Sequence, residues 1–241
     1  MANVNPAQET LSVRLTRVRE QIAAAAERSG RRADEVSLIA ISKTHPASAI
    51  ESLLELGATD FGENRVQEAE EKITELGRER ARWHLVGHLQ ANKARRAVNL
   101  FDVIHSLDSI ELAQRLDRLC EEEGRENLAV LIQVDLGHEE TKSGIDENEL
   151  PQLVVELGPL HRLQLIGLMT LPPFFENPEH NRPFFRQLRK LRDELASSGA
   201  FGDRQGELSM GMTHDFEVAI EEGATMVRIG TAIFGERVAR H

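Results

Sequence analysis

A chain of 241 residues falls in the range where an α/β barrel closes as one domain, so its length does not call for two. With 40% hydrophobic and 29% charged residues the composition is that of a globular protein and not a disordered one, and a net charge of -11 opposes binding to nucleic-acid backbones. Cys120, the one cysteine, excludes an intramolecular disulfide and a thiolate zinc cluster, and no segment approaches the ~20 apolar residues that span a bilayer.

In chain order, the first pattern is an amphipathic helix over 9–29, with Leu11, Leu15, Val18, Ile22 and Ala25 or Ala26 on one face and Gly30 placed to end it. This start has no basic region followed by an apolar core, so the cytosol is the expected compartment. Short apolar runs then alternate with helical patterns: VSLIAIS from Val36, ATDFG, WHLVG, FDVIHS, LAVLIQVD, LQLIGLMT, GELSMG and ATMVRIG make eight candidate strands. The helix after the first strand is predicted over 47–56, and Gly57, Gly77, Gly124, Gly158 and Gly223 mark helix ends. Runs as continuously apolar as LAVLIQV suit a parallel sheet covered on both faces. The fold expected is therefore α/β, a single (β/α)8 TIM barrel with an extra N-terminal helix, one domain over 1–241; a doubly wound sheet would give a similar local pattern. Lys93, Arg95 and Arg96 read as a solvated helix face, and Pro172, Pro173, Pro178 and Pro183 as one longer loop.

In such a barrel the ligand site is built at the C-terminal ends of the strands. Lys43 directly follows an apolar strand, where desolvation lowers an ammonium pKa and frees the amine to attack a carbonyl; by position alone it reads equally as a Schiff-base lysine or as one leaving the mouth for solvent. The last two loops, Ser209-Met210-Gly211-Met212-Thr213 and Gly230-Thr231, combine small residues with hydroxyls after strands seven and eight, where barrels commonly bind phosphate. Each glycine taken singly serves equally to relieve a tight turn. His138, Glu139 and Glu140 are consecutive and lack a second ligand cluster, so no metal is expected there.

The blocks AISKTHP around Lys43, FGENRVQE, WHLVGHLQANK, KSG at Lys142 to Gly144, GLMT, LSMGMTHDFEVAI and VRIGTAIFG occur in one order and together resemble the YggS/PROSC family of pyridoxal phosphate homeostasis proteins. The resemblance runs nearly end to end and implies a barrel similar to that of alanine racemases, with pyridoxal 5′-phosphate (PLP) as cofactor. It implies that Lys43 forms the Schiff base, that Ser209, Gly211, Thr213, Gly230 and Thr231 surround the phosphate, that Arg228 faces the pyridine nitrogen, and that Asn64, His84, Met169 and Met210 line the ring. A histidine inside an apolar strand, as His84 is, is more often a hydrogen-bonded core residue. Thr213 stands where many members carry serine and keeps the hydroxyl.

Two features favour a cofactor binder over an enzyme. A guanidinium carries only donors, so Arg228 would hold the ring nitrogen unprotonated and weaken the electron sink, although alanine racemases share such an arginine. The sequence contains no tyrosine, the residue that racemases of this fold use opposite the lysine for two-base chemistry. The expectation is a monomeric PLP carrier, with no role for nucleic acid or membrane, that passes PLP to apo-enzymes. The alternatives are a slow PLP enzyme on an unidentified amine and a barrel enzyme on another phosphorylated metabolite.

Overall fold

The computed structural model describes residues 10–138 and 143–235. The chain opens with α1 (Leu11–Arg28), capped by the Thr10 hydroxyl, which accepts from the Val13 amide. It buries Leu15, Val18, Ile22, Ala25 and Ala26, the face read from the sequence. Exposed polar residues on the other face leave that apolar stripe as the helix's reason to dock.

Eight parallel strands then close into a barrel in sequence order: β1 (Ser37–Ile41), β2 (Asp60–Glu63), β3 (Arg82–Leu85), β4 (Val103–Leu107), β5 (Leu128–Gln133), β6 (Leu163–Met169), β7 (Glu207–Met212) and β8 (Met226–Ile229). The barrel fold is thus as expected, and β8 pairs back onto β1 with Ile39 opposite Arg228. Around the barrel run α2 (Ala47–Glu55), α3 (Val66–Leu76), α4 (Ala94–Leu100), α5 (Ile110–Glu122), α6 (Leu150–Leu157), α7 (Arg182–Ser197), α8 (Phe216–Glu221) and the short α9 (Thr231–Phe234). The lead-in helix α1 packs against α8 and α9, covering the wall where the barrel closes.

Two details differ from the sequence reading. The strand in ATDFG begins only at Asp60, because the Ala58 amide is taken by the Leu53 carbonyl in the turn that ends α2. Pro178 and Pro183 do not simply mark a loop: each sits in the first turn of a helical segment, where a missing N–H costs nothing.

Strand side chains alternate between two separate cores, as a period of two requires. Ala40, Phe61, Trp83, Ile104, Val130, Leu208, Met210 and Val227 point outward into the layer shared with the helices. Ile39, Ile41, Val86, Val103, Leu131, Met169 and Met226 fill the barrel itself. Trp83 anchors the outer layer with no exposed surface, its indole N–H donating to the Arg78 carbonyl at 3.2 Å. Each fully buried aliphatic side chain of this kind contributes about 1.5–3 kcal/mol of transfer free energy.

Candidate functional site

Strand β1 leads directly to Lys43. Ile39 and Ile41 face in, Ala40 faces out, and the outward Ser42 donates its hydroxyl to Glu63 Oε1 at 2.7 Å. The next residue, Lys43, lies at the C-terminal mouth of the barrel, half-buried and two residues past the inward Ile41. Thr44 follows in the left-handed region at φ 69, its amide donating to the Glu68 carboxylate. Behind this turn lies a buried ionic cluster. Lys72 Nζ donates to the Ser42 carbonyl at 2.7 Å, to Glu63 Oε1 at 2.6 Å and to Glu68 Oε1 at 2.8 Å. Burial pushes the Glu63 carboxyl up, with Lys72 and Ser42 offsetting part of the rise, and its Oε2 has no partner. The cluster holds the backbone that carries Lys43.

Closure of β8 on β1 brings the last loop beside this turn. A Cβ on Gly230 would stand 3.3 Å from the Ile41 carbonyl oxygen, and the His45 ring stacks on Phe234 with centroids 4.7 Å apart. The Ala232 amide donates to Thr213 Oγ1 at 3.4 Å, tying the loop after β7 to the loop after β8. Gly211 has φ +90 and lies so close to α8 that a Cβ would meet that of Ala219 at 2.6 Å. Its glycine is thus required by backbone conformation and by packing. Asp215 braces the same loop, accepting from the Met212 amide at 2.7 Å and from Asn181 Nδ2 at 2.6 Å.

Below the mouth a line of polar groups crosses the barrel. Asp60 Oδ1 is 3.0 Å from His84 Nε2, His84 Nδ1 is 2.9 Å from His105 Nε2, and His105 Nδ1 is 2.9 Å from Ser209 Oγ. Arg228 completes the line, donating from Nη1 to Ser209 Oγ at 2.6 Å and from Nη2 to the Thr170 carbonyl at 2.9 Å. Burial depresses His84 despite Asp60, depresses His105 well below the ordinary range, and lowers Arg228 to about 10. Among the described residues Arg228 makes no ion pair within 4.0 Å, so it is a buried cation held by neutral acceptors, a setting suited to an incoming acceptor or anion.

Of the residues expected at a site, Lys43, Gly211, Thr213, Gly230 and Thr231 meet at the loops ending β1, β7 and β8, with Met169 and Arg228 inside the barrel. Asn64 follows β2 at the same end, approached closely by Gly87, where a Cβ would stand 2.3 Å from the Asn64 carbonyl oxygen. Three placements bear on the expected roles. Met210 packs outward among the helices, because its neighbour Ser209 faces in and consecutive strand residues cannot share a face. The Ser209 hydroxyl lies between His105 and Arg228, 2.9 and 2.6 Å away. His84 has both ring nitrogens bonded inside the barrel and reads as a buried network residue. Lys142, Glu139 and Glu140 lie outside the described residues. Sequence reading placed Glu63 and His105 at strand ends without a role and passed over Asp60 and Lys72; the available signal was the inward parity of histidines on two successive strands.

The alanine racemase N-terminal domain family matches residues 13–238. A pyridoxal phosphate homeostasis protein of Aquifex aeolicus is 46% identical over 226 residues, covering 93% of this chain and 97% of the relative. Its Escherichia coli K12 counterpart is 43% identical over 229 residues, covering 92% and 95%. Among solved structures, PipY of Synechococcus elongatus with PLP bound is 40% identical, covers 94% of this chain and 100% of that one, and superposes with a TM-score of 0.78.

Proposed function

This chain belongs to the pyridoxal phosphate homeostasis proteins of the alanine racemase N-terminal domain family, and from that premise we propose that it holds PLP as a Schiff base on Lys43. The observation that carries the reading is Arg228, a buried cation without a carboxylate partner, set inside the barrel whose mouth bears Lys43. PLP, when bound, supplies an aldehyde that condenses with an amine and a ring that can accept electrons. Lys43 stands half-buried at the mouth, and the Thr213, Thr231 and Gly230 loops offer hydroxyls and amides for a phosphate. Arg228 presents only N–H donors to a ring nitrogen, which keeps that nitrogen unprotonated and the ring a poor electron sink.

The protein is a cofactor-binding and homeostasis protein, not a dedicated enzyme. In this reading residues 1–241 act as one PLP-binding domain, monomeric and cytoplasmic, that limits free PLP and passes it to PLP-dependent apo-enzymes. Among the described residues no helix is long and apolar enough to cross a membrane. The test is the visible absorption spectrum of the purified protein with added PLP, before and after borohydride reduction, with Lys43→Ala as control and a peptide map of the label. The expected result is a band that reduction fixes onto Lys43. A label spread over surface lysines, or no band, would sink the proposal.

A further inference from the structure

We infer that Asp60, His84 and His105 are positioning residues, forming with Ser209 a one-way hydrogen-bonded chain through the barrel that fixes the orientation of the Arg228 guanidinium. The inference rests on the reading of Arg228 as the group facing the ring nitrogen of bound PLP. Its direction follows from the two ends. An ionised Asp60 only accepts, so His84 Nε2 carries a hydrogen and donates across 3.0 Å. Neutral His84 must then accept at Nδ1, so His105 donates from Nε2 across 2.9 Å. His105 Nδ1 is left as an acceptor for the Ser209 hydroxyl, and the Ser209 oxygen accepts from Arg228 Nη1 at 2.6 Å. The other end is compatible with this direction, since the guanidinium only donates and leaves the Ser209 hydrogen free to go to His105. Every bond in the chain meets one donor with one acceptor.

The groups that face the chain agree with this direction. Asp60 is met by His84 and, at 3.9 Å, by Arg82 from β3, and by the Thr59 hydroxyl at 2.6 Å. His105 is met by His84 and by the Arg228 side through Ser209, and Arg228 is influenced by Asp215. Burial would raise Asp60, yet the His84 and Thr59 bonds outweigh it and hold the carboxyl below its ordinary value. Asp60 is therefore a far weaker base than the guanidine, and the chain orients the Arg228 proton without removing it. With its hydrogen committed to His105, the Ser209 hydroxyl has none to give to a phosphate. The control of the ring-nitrogen contact thus reaches from Asp60, 17% exposed on the N-terminal side of the barrel, to a site at its other end.

Nitrogen NMR of histidine-labelled protein tests the direction without PLP: His84 and His105 are expected as neutral Nε2–H tautomers at neutral pH. An Nδ1–H tautomer or an imidazolium at either position overturns the chain. In PLP-loaded protein, His105→Leu is expected to weaken PLP retention about tenfold, the size of one charge-assisted hydrogen bond, and to shift the visible band. Asp60→Ala should shift the band as well, whereas Asp60→Asn, whose amide oxygen still accepts from His84, should restore it. A merely structural role would lower thermal stability and leave the band unmoved, and that outcome overturns the inference. If His105→Leu does not fold, Ser209→Ala supplies the same readouts. Should the wild-type protein fail to take PLP on Lys43, the cofactor reading is what fails, and the tautomers still decide the chain.

Discussion

Inside the barrel, Asp60, His84, His105, Ser209 and Arg228 keep opposite charges at the two ends of a neutral chain. Just outside it, Glu63, Lys72 and Glu68 press their charges together against the backs of β1 and β2. The outer cluster pairs its cation directly: Lys72, with 8% of its side chain exposed, sits within 2.8 Å of two carboxylates and a carbonyl. The inner chain does not, since Arg228 is satisfied by a hydroxyl and a carbonyl and retains its charge. The difference matches what each must do. A cluster that steadies the backbone under Lys43 serves best when each buried charge has an opposite partner, whereas a buried cation held by neutral acceptors stays ordered and still attractive to a further acceptor.

The largest expected effect breaks the outer cluster. Lys72→Ala leaves Glu63 buried without its cation, and chemical denaturation at neutral pH should show a loss of about 3–5 kcal/mol. The loss should shrink on acidification, because Glu63, already pushed up by burial, then takes a proton. Combining Lys72→Met with Glu63→Gln should recover most of it, as no buried charge remains.

The inner chain should instead respond to pH through its histidines. Both are depressed by burial below the ordinary value of 6.5, so below that pH the unfolded chain binds protons that the folded chain refuses. Their contribution is thus intact above pH 6.5 and is lost as pH falls below it. Two such groups set a limiting slope of about 2.7 kcal/mol per pH unit in denaturation midpoints converted to free energy, and His105→Leu should lower the observed slope. A flat profile between about pH 6.5 and 5 would mean the two histidines are not held neutral. The smallest effect belongs to the loop that both regions leave alone: Gly211→Ala, at φ +90 and against Ala219, should cost about 1–3 kcal/mol and should loosen the loop carrying Thr213.

Much of the fold was legible because the signals are local. The stripe on α1 and the apolar runs of β1 and β5 specify their elements through periodicity, and glycine ends such as Gly77 and Gly223 punctuate them. Lys43 was legible as a mouth residue for the same reason, since it follows a strand that the pattern itself terminates. Ser209 and Met210 came together from the resemblance, and strand alternation sends one inward and the other into the helix layer. Asp60 read only as part of a short strand and His105 as the end of one, because the meaning of each depends on a partner in another strand.

The sequence by itself thus determined which segments are strands and helices, that they alternate into an α/β barrel, and, through blocks such as AISKTHP and LSMGMTHDFEVAI, the family. Only the tertiary structure decided which polar residues share the interior. His105 and Ser209 meet across 104 positions of sequence, and Ile41 and Gly230 become neighbours only because β8 closes on β1. Such pairings follow from register and barrel closure, which no local period encodes. Periodicity fixes the face a side chain takes, and closure fixes the partner it finds there.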